Sequence, residues 1–273
     1  MGRGRDERVE GGIYEPGHFA PEDGVYVIAD AGSNHCGSIE LALQLIHYAA
    51  DAGSDAVKFQ LYRLEDILRD PAKGDRKFEL PPAWIPELAD EAHCLEIDFL
   101  CTPFAPWAVE VLSPYVDAWK IGSFEARRQD LLDAITDEKV KIISLGMCTE
   151  EDFRYLHKNP AIFLHCVSAY PVSLSRSALY QFLRMDRTSV RGFSDHTLVW
   201  PAAAVAACAL GCRTFERHLM LKDQPESPDR GPWSLTPDEF GKYVRILRET
   251  AEALKEQSWT PVAPPPGRLV HGK

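Results

Sequence analysis

Short apolar, β-branched runs alternate with longer amphipathic runs along the chain. VYVIADA (25–31), DAVKFQ (55–60), IDFLCT (97–102), VDAWKIGS (116–123), KVKIISLG (139–146), AIFLHCVS (161–168), SVRGFSDH (189–196) and CRTFERHLM (212–220) each predict a strand. Helical patterns lie between and after them, near 39–53, 83–94, 106–113, 128–137, 149–157, 175–185, 199–210 and 237–256. Apolar strands separated by helices indicate a parallel sheet buried on both faces. Eight successive β-then-α units favour closure into a (β/α)₈ TIM barrel over an open doubly wound sheet. The pattern divides the chain into a polar N-terminal segment (1–20), a barrel domain (21–256) and a Pro-rich tail (257–273).

In such a barrel the chemistry sits at the C-terminal ends of the strands. The first predicted strand ends in Asp30, followed by Asn34 and His35, and the second carries Lys58 and Gln60. The third ends in Thr102, and the fourth in Lys120, Ser123 and Glu125. Ser144 closes the fifth, Ser168 and Tyr170 the sixth, Ser194, Asp195 and His196 the seventh, and Glu216 and His218 the eighth.

Lys58, Lys120 and the hydroxyls of Thr102, Ser123, Ser144 and Ser194 could surround a phosphate, since Lys supplies a point charge and hydroxyls supply short hydrogen bonds. One such Lys would ordinarily run its stem out to solvent; two inside apolar strands of one barrel point to a buried anion site. His196 and His218 close neighbouring strands, where two imidazoles could share one metal ion and leave positions open for water and substrate. Glu125, Asp30 and Asp229 are the acids best placed to move protons. Burial would raise their pKa and nearby cations would lower it.

Composition narrows the partners. The net charge of −11 argues against nucleic-acid binding, which depends on Lys and Arg neutralising phosphates. A local cation cluster for a small anionic substrate remains compatible with it. No apolar run reaches the ~18 residues of a membrane span, and the polar start lacks a secretion signal. A cytoplasmic location is therefore expected. The seven cysteines form no CxxC pair and are expected as reduced, mostly buried thiols. No GxGxxG or Walker pattern follows the first strand, so nucleotide binding has no local support.

IADAGSNHCG, DAVKFQ, FLCTPF, WKIGSFE, ISLGM, LHCVSAYP, GFSDHT and FERHLML resemble, in order, the strand motifs of the N-acetylneuraminate (sialic acid) synthases, from about Tyr26 to Glu249. The resemblance implies a transferase of EC 2.5.1 type that condenses phosphoenolpyruvate with a sugar aldehyde and releases phosphate, forming a 2-keto-3-deoxy acid. It implies that His196 and His218 hold a divalent metal, Mn2+ or Mg2+. Lys58, Thr102, Lys120, Ser123, Ser144, Tyr170 and Ser194 match phosphoenolpyruvate-binding positions. Glu125 matches a carboxylate near the reacting carbon. Gln60 and Asp229 match positions at the acceptor, and Arg230 stands beside them. Asp195 is expected to orient His196 or a neighbouring backbone group.

The chain departs from this family mainly on the acceptor side. Asp30 stands where a Glu is usual, Cys36 and Ser168 replace Asn, and Arg230 replaces His. The family carries a small antifreeze-like domain after the barrel that closes over a partner's site, whereas here the Pro-rich tail follows. The resemblance therefore leaves room for a homodimer, a separate lid protein or a different acceptor. Two other readings stay open on the residues alone. One is an aldolase or lyase using Lys58 or Lys120 as a Schiff base. The other is a divergent barrel that takes a non-sugar acceptor or has lost the condensation.

Overall fold

The computed structural model describes residues 16–255 except residues 137, 159 and 184–189. Eight strands pair in sequence order: β1 (Tyr26–Gly32), β2 (Ala56–Leu61), β3 (Asp98–Pro103), β4 (Ala118–Ile121), β5 (Lys141–Ser144), β6 (Ile162–His165), β7 (Val190–Ser194) and β8 (Thr214–Leu219). All pairings are parallel, and β1 closes on β8 from Tyr26↔Thr214 to Asp30↔His218. The (β/α)₈ barrel expected from the alternating runs is the observed architecture.

Strand side chains alternate between two cores, because successive residues point to opposite faces. Outward residues such as Val27, Val57, Phe59, Phe99, Trp119, Ile143, Phe163 and Phe215 pack under the helices. Inward residues Tyr26, Ile28, Ala56, Leu100, Ala118, Ile142, Ile162 and Leu164 fill the barrel's lower interior. Phe19 and Ala20 join them, and Thr214 Oγ1 donates to Phe19 O at 2.6 Å, so the end of the N-terminal segment plugs the barrel from below. Above this apolar layer the inward positions turn polar at Asp30, Lys58, Thr102, Lys120, Ser144, Ser194 and Glu216, all buried.

The helices begin where side chains satisfy free backbone donors. Ser38 accepts from Leu41 N ahead of Ile39–Asp51. Thr149 and Asp152 exchange hydrogen bonds at the start of Glu150–Leu156. The amide and hydroxyl of Thr236 both donate to Glu239 at the start of Pro237–Ala253. No helix among the described residues is long and apolar enough to cross a membrane.

Two elements differ from expectation. The helix expected over 175–185 is a pair of 3₁₀ turns, Leu174–Arg176 and Leu179–Leu183, with residues 184–185 outside the described ones. Serines here bond locally: Ser177 Oγ donates to Leu174 O at 2.7 Å, and Ser173 and Ser175 hydroxyls lie 3.2 Å apart. Such bonds compete with the helical ladder, and Ala178 at φ 56° breaks the run. The loop after β8 also holds a short ninth strand, β9 (Ser234–Leu235), which pairs with β8 at His218↔Ser234.

Candidate active site

The polar inward residues meet at the C-terminal mouth in two adjoining groups. In the cationic group, Lys58 Nζ lies 2.9 Å from Asp30 Oδ1 and 3.2 Å from Glu216 Oε1. Lys120 Nζ lies 3.1 Å from Glu216 Oε2 and donates to Ser144 Oγ at 2.9 Å. Glu216 thus bridges both lysines. Burial disfavours its charge, but Lys120 and then Lys58 outweigh burial and hold its carboxyl below the usual range. Burial likewise works against the charge of Lys58, yet Asp30 and Glu216 push its pKa up. For Asp30 itself burial raises the carboxyl, and Lys58 and His218 offset this in part.

Thr102 Oγ1 is buried beside this group without a hydrogen-bond partner. Glu125 is buried at the same level: its carboxylate lies where a Cβ on Gly122 would stand, with Thr102 Cγ2 at 3.8 Å from that point. Burial pushes the Glu125 carboxyl up, opposed in part by its own backbone hydrogen bond and by Lys120. Ser123 Oγ accepts from Gly146 N at 3.1 Å and lies 3.2 Å from Cys166 Sγ. Ser168 approaches the same point beside Gly146.

The second group joins two imidazoles to carboxylates. The rings of His196 and His218 lie 5.4 Å apart, and Tyr170 covers both at 4.3 and 5.7 Å. His196 Nδ1 bonds Val167 O at 3.0 Å, leaving Nε2 3.3 Å from Ser194 Oγ. Burial, and after it the charge on His218, push His196 down to about 3, so its ring is neutral. His218 is the opposite case. Burial opposes its charge, but Asp229 and Asp30 overrule it and raise its pKa to about 9. Its Nδ1 lies 3.3 Å from Asp229 Oδ2 and 3.6 Å from Asp30 Oδ2.

Gly32, at φ +50°, marks the centre of this second group. A Cβ there would stand 2.7 Å from Asp229 Oδ2 and 3.7 Å from both Asp30 Oδ1 and Gln60 Nε2. Only glycine suits both that backbone conformation and that crowding. Asp229 reaches the point from the loop between β8 and β9. Asn34, fully buried, accepts from Asp229 N at 3.2 Å and Ser227 Oγ at 2.5 Å, and donates to Leu219 O at 2.8 Å. Ser234 Oγ donates to Asp229 O at 2.5 Å.

The expected site residues therefore gather at one mouth, with Arg230 apart. Its side chain is exposed and donates to Lys222 O at 3.1 Å. Of the two roles expected for Asp195, it takes the backbone one: it does not bond His196 but accepts from Thr197 N at 2.9 Å. It faces outward, because alternation along β7 puts it on the opposite side from Ser194 and His196, and it pairs with Arg217 at 2.8 Å. The residues most underrated from sequence are Glu216, Asn34 and Ser227. Glu216 was legible as an inward position in step with His218, but its bridging role depends on where Lys58 and Lys120 point.

The donors at the second group suit a divalent cation in kind, nitrogen from imidazole and oxygen from carboxylate. His218 Nδ1 is buried and makes no in-line hydrogen bond despite the two acids beside it. Among the described residues, however, no three His, Cys, Asp or Glu side chains enclose a metal position by themselves. An ion here would complete its shell with water or substrate oxygens.

A closed parallel barrel with buried cations and an imidazole–carboxylate group at its C-terminal mouth places the protein in the class of (β/α)₈ barrels whose chemistry is carried on strand ends. Within that class, the chain belongs to the NeuB family, whose model matches residues 45–258. It is 34% identical to a pseudaminic acid synthase of Campylobacter jejuni over 87% of this chain and 77% of that protein. It is 32% identical to an N,N'-diacetyllegionaminic acid synthase of the same species, over 84% and 77% of the two chains. Its fold superposes on the crystal structure of an N-acetylneuraminic acid (sialic acid) synthetase from Leptospira borgpetersenii with a TM-score of 0.79, at 28% identity, covering 88% of each chain.

Proposed function

We propose that this barrel condenses phosphoenolpyruvate with the open-chain aldehyde of an acylamino sugar, in the manner of an EC 2.5.1-type synthase. The observation that carries the reading is the pair of buried lysines, Lys58 and Lys120, bridged by Glu216 and flanked by Ser144 and the unpartnered Thr102 hydroxyl. Such a group is equipped to hold a compact, highly charged anion out of bulk water. The family's named sugar-acid synthases support the same reading.

In the reaction, C3 of phosphoenolpyruvate forms a bond to the aldehyde carbon, and the aldehyde oxygen takes a proton to become a hydroxyl. Water adds its oxygen to C2. The C2–O bond to phosphate then breaks, inorganic phosphate leaves with the bridging oxygen, and a 2-keto-3-deoxy acid remains. Lys58, Lys120, Ser123, Ser144 and Ser194 would bind and orient the anion. Glu125, its carboxyl raised by burial, is suited to carry a proton near neutral pH. Tyr170 would cover the reacting end, and Gln60 and Asp229 the sugar.

Mn2+ or Mg2+ held by His196 and His218 would polarise the aldehyde. Asp229 and Asp30 would balance the charge gathered there. A Schiff-base route through Lys58 is disfavoured, because an attacking amine must be neutral while Lys58 is held charged between two carboxylates.

The test is phosphate release from phosphoenolpyruvate with Mn2+ and a panel of aldoses that includes acylamino hexoses. Turnover is expected for one or more of them, reduced about 10²–10³-fold in His196→Ala and His218→Ala. Phosphate release with none of the aldoses would overturn the condensation. Undiminished turnover in both variants would overturn the metal role.

A further inference from the structure

β7 and β8 carry the two imidazoles, and His196 stands past the point where the backbones of these strands pair. Their ladder runs through Gly192↔Thr214, Phe193↔Phe215 and Ser194↔Glu216, followed by one bond from Asp195 N to Glu216 O at 2.9 Å. Higher up, β9 pairs with β8 at His218↔Ser234, and β1 holds the other edge through Asp30↔His218. A strand has only two edges, so both edges of β8 are occupied at His218. Beyond Asp195, no β7–β8 ladder therefore holds residues 196–197 at a set distance from His218; the backbone there pairs instead with Val172, at Val172↔Thr197.

A side-chain clamp on the outer face takes over. Arg217 Nη1 lies 2.8 Å from Asp195 Oδ2, with both side chains fully buried. Arg217 Nη2 donates to Thr197 O at 2.8 Å. Asp195 Oδ1 accepts from Thr197 N at 2.9 Å and from Thr197 Oγ1 at 2.7 Å. One guanidinium thus grips both ends of the Asp195–His196–Thr197 turn. It is itself fixed between Glu216 and His218 on β8, and its charge lies 5.9 Å from the Tyr243 ring.

Stability does not account for this pair. Buried ion pairs are weak stabilisers, and apolar pairs of similar volume often do as well or better. Arg217 Nε, Arg217 Nη1 and Asp195 Oδ2 make no in-line hydrogen bond, so the pair is a charge contact and the directional bonds are those to Thr197. What an apolar pair would lack is a directional hold on the turn that carries His196.

We propose that Arg217, acting with Asp195, is a positioning residue that sets the separation of the His196 and His218 imidazoles. The inference rests on these two rings serving the reaction proposed above. The experiment compares the wild type with the double variant Asp195→Leu/Arg217→Met by thermal unfolding, phosphate-release kinetics and site-resolved amide exchange. The expected result is an unfolding midpoint equal to or above the wild type with kcat lowered about 100-fold, as a misplacement on the order of 1 Å produces. The KM for phosphoenolpyruvate stays near the wild-type value.

Exchange should quicken at the Val172 and Leu198 amides. These bond His196 O and Val172 O at 3.0 Å each, and neither bond involves a replaced side chain. A stable double variant with wild-type kcat and wild-type exchange would overturn the proposal. If the double variant does not fold, Arg217→Lys decides. Lys keeps the charge opposite Asp195 but lacks the fork that also reaches Thr197 O. Lower kcat with faster Val172 exchange supports the clamp, and wild-type values for both overturn it. If the wild type itself releases no phosphate with any aldose, the reaction reading fails, and amide exchange alone decides the positioning role.

Discussion

Lys58, Lys120, Ser144 and Glu216 reach the mouth from within strands, whereas Asp229 hangs from the loop between β8 and β9 and is held by Asn34 and Ser234. The first group is part of the barrel's own interior: Lys58, Lys120 and Ser144 are the next inward step above Ala56, Ala118 and Ile142, and Glu216 above the buried Thr214. The second group is assembled from strand ends and a pinned loop. The buried lysines and barrel stability are therefore joined in one half of the mouth. In the other half, the chemistry can be altered while the barrel is left largely intact. Of the departures from family pattern, Ser168 and Arg230 lie after β6 and in that loop, whereas Asp30 touches both halves, pairing with Lys58 at 2.9 Å and facing His218 at 3.6 Å.

The sharpest way to break this comparison is to remove the bridge between the lysines. Glu216→Leu leaves Lys120 buried without its carboxylate, and should destabilise the protein by about 3–5 kcal/mol in urea unfolding. An unchanged midpoint would show that the cationic half is no more integral to the fold than the other.

A middle-sized effect is expected from the His218–Asp229 pair in cation-free protein. His218 is raised from its ordinary 6.5 to about 9, so its stabilising charge is fully present below pH 6.5 and lost as pH rises through about 9. Asp229 is held below its ordinary 3.8, so its share is present above that pH and lost on further acidification. The pair is therefore most stabilising between these limits. Wild type should exceed Asp229→Asn by on the order of 2 kcal/mol near about pH 6, and the gap should close toward about pH 10. Parallel stability profiles for the two proteins would refute the pairing.

The smallest effect is expected at the loop knot. Ser227→Ala removes one hydrogen bond to Asn34 and should cost about 1 kcal/mol of stability. Its main consequence should be a higher KM for the sugar acceptor, with the KM for phosphoenolpyruvate unmoved. A rise in both would mean that the two halves are not separable.

The barrel and most of its mouth were legible in the amino-acid order because strand alternation is local. Asp30, Lys58, Thr102, Lys120, Ser144, Ser194, Glu216 and His218 all share the inward face with the apolar residues beneath them, and a two-residue period places them there without knowledge of the rest. The 175–185 segment departs from the helix its pattern predicts for an equally local reason. Its apolar spacing is helical, but Ser177 bonds the Leu174 carbonyl and Ser173 and Ser175 bond each other, and periodicity does not register that competition.

What the chain determined by itself is the eight strands of the barrel, the face on which their side chains stand, and the family-like motifs at the strand ends. Tertiary structure alone decided which charges pair. Glu216 became a bridge only when closure brought Lys58 and Lys120 to either side of it. Asp195 went to Arg217 and not to His196, because adjacent strands present their outward residues to one another. Asp229 entered the site only when β9 added to the free edge of β8 and Asn34 caught the loop between them. These are contacts between residues distant in sequence, set by barrel closure and strand order, and no local pattern carries them.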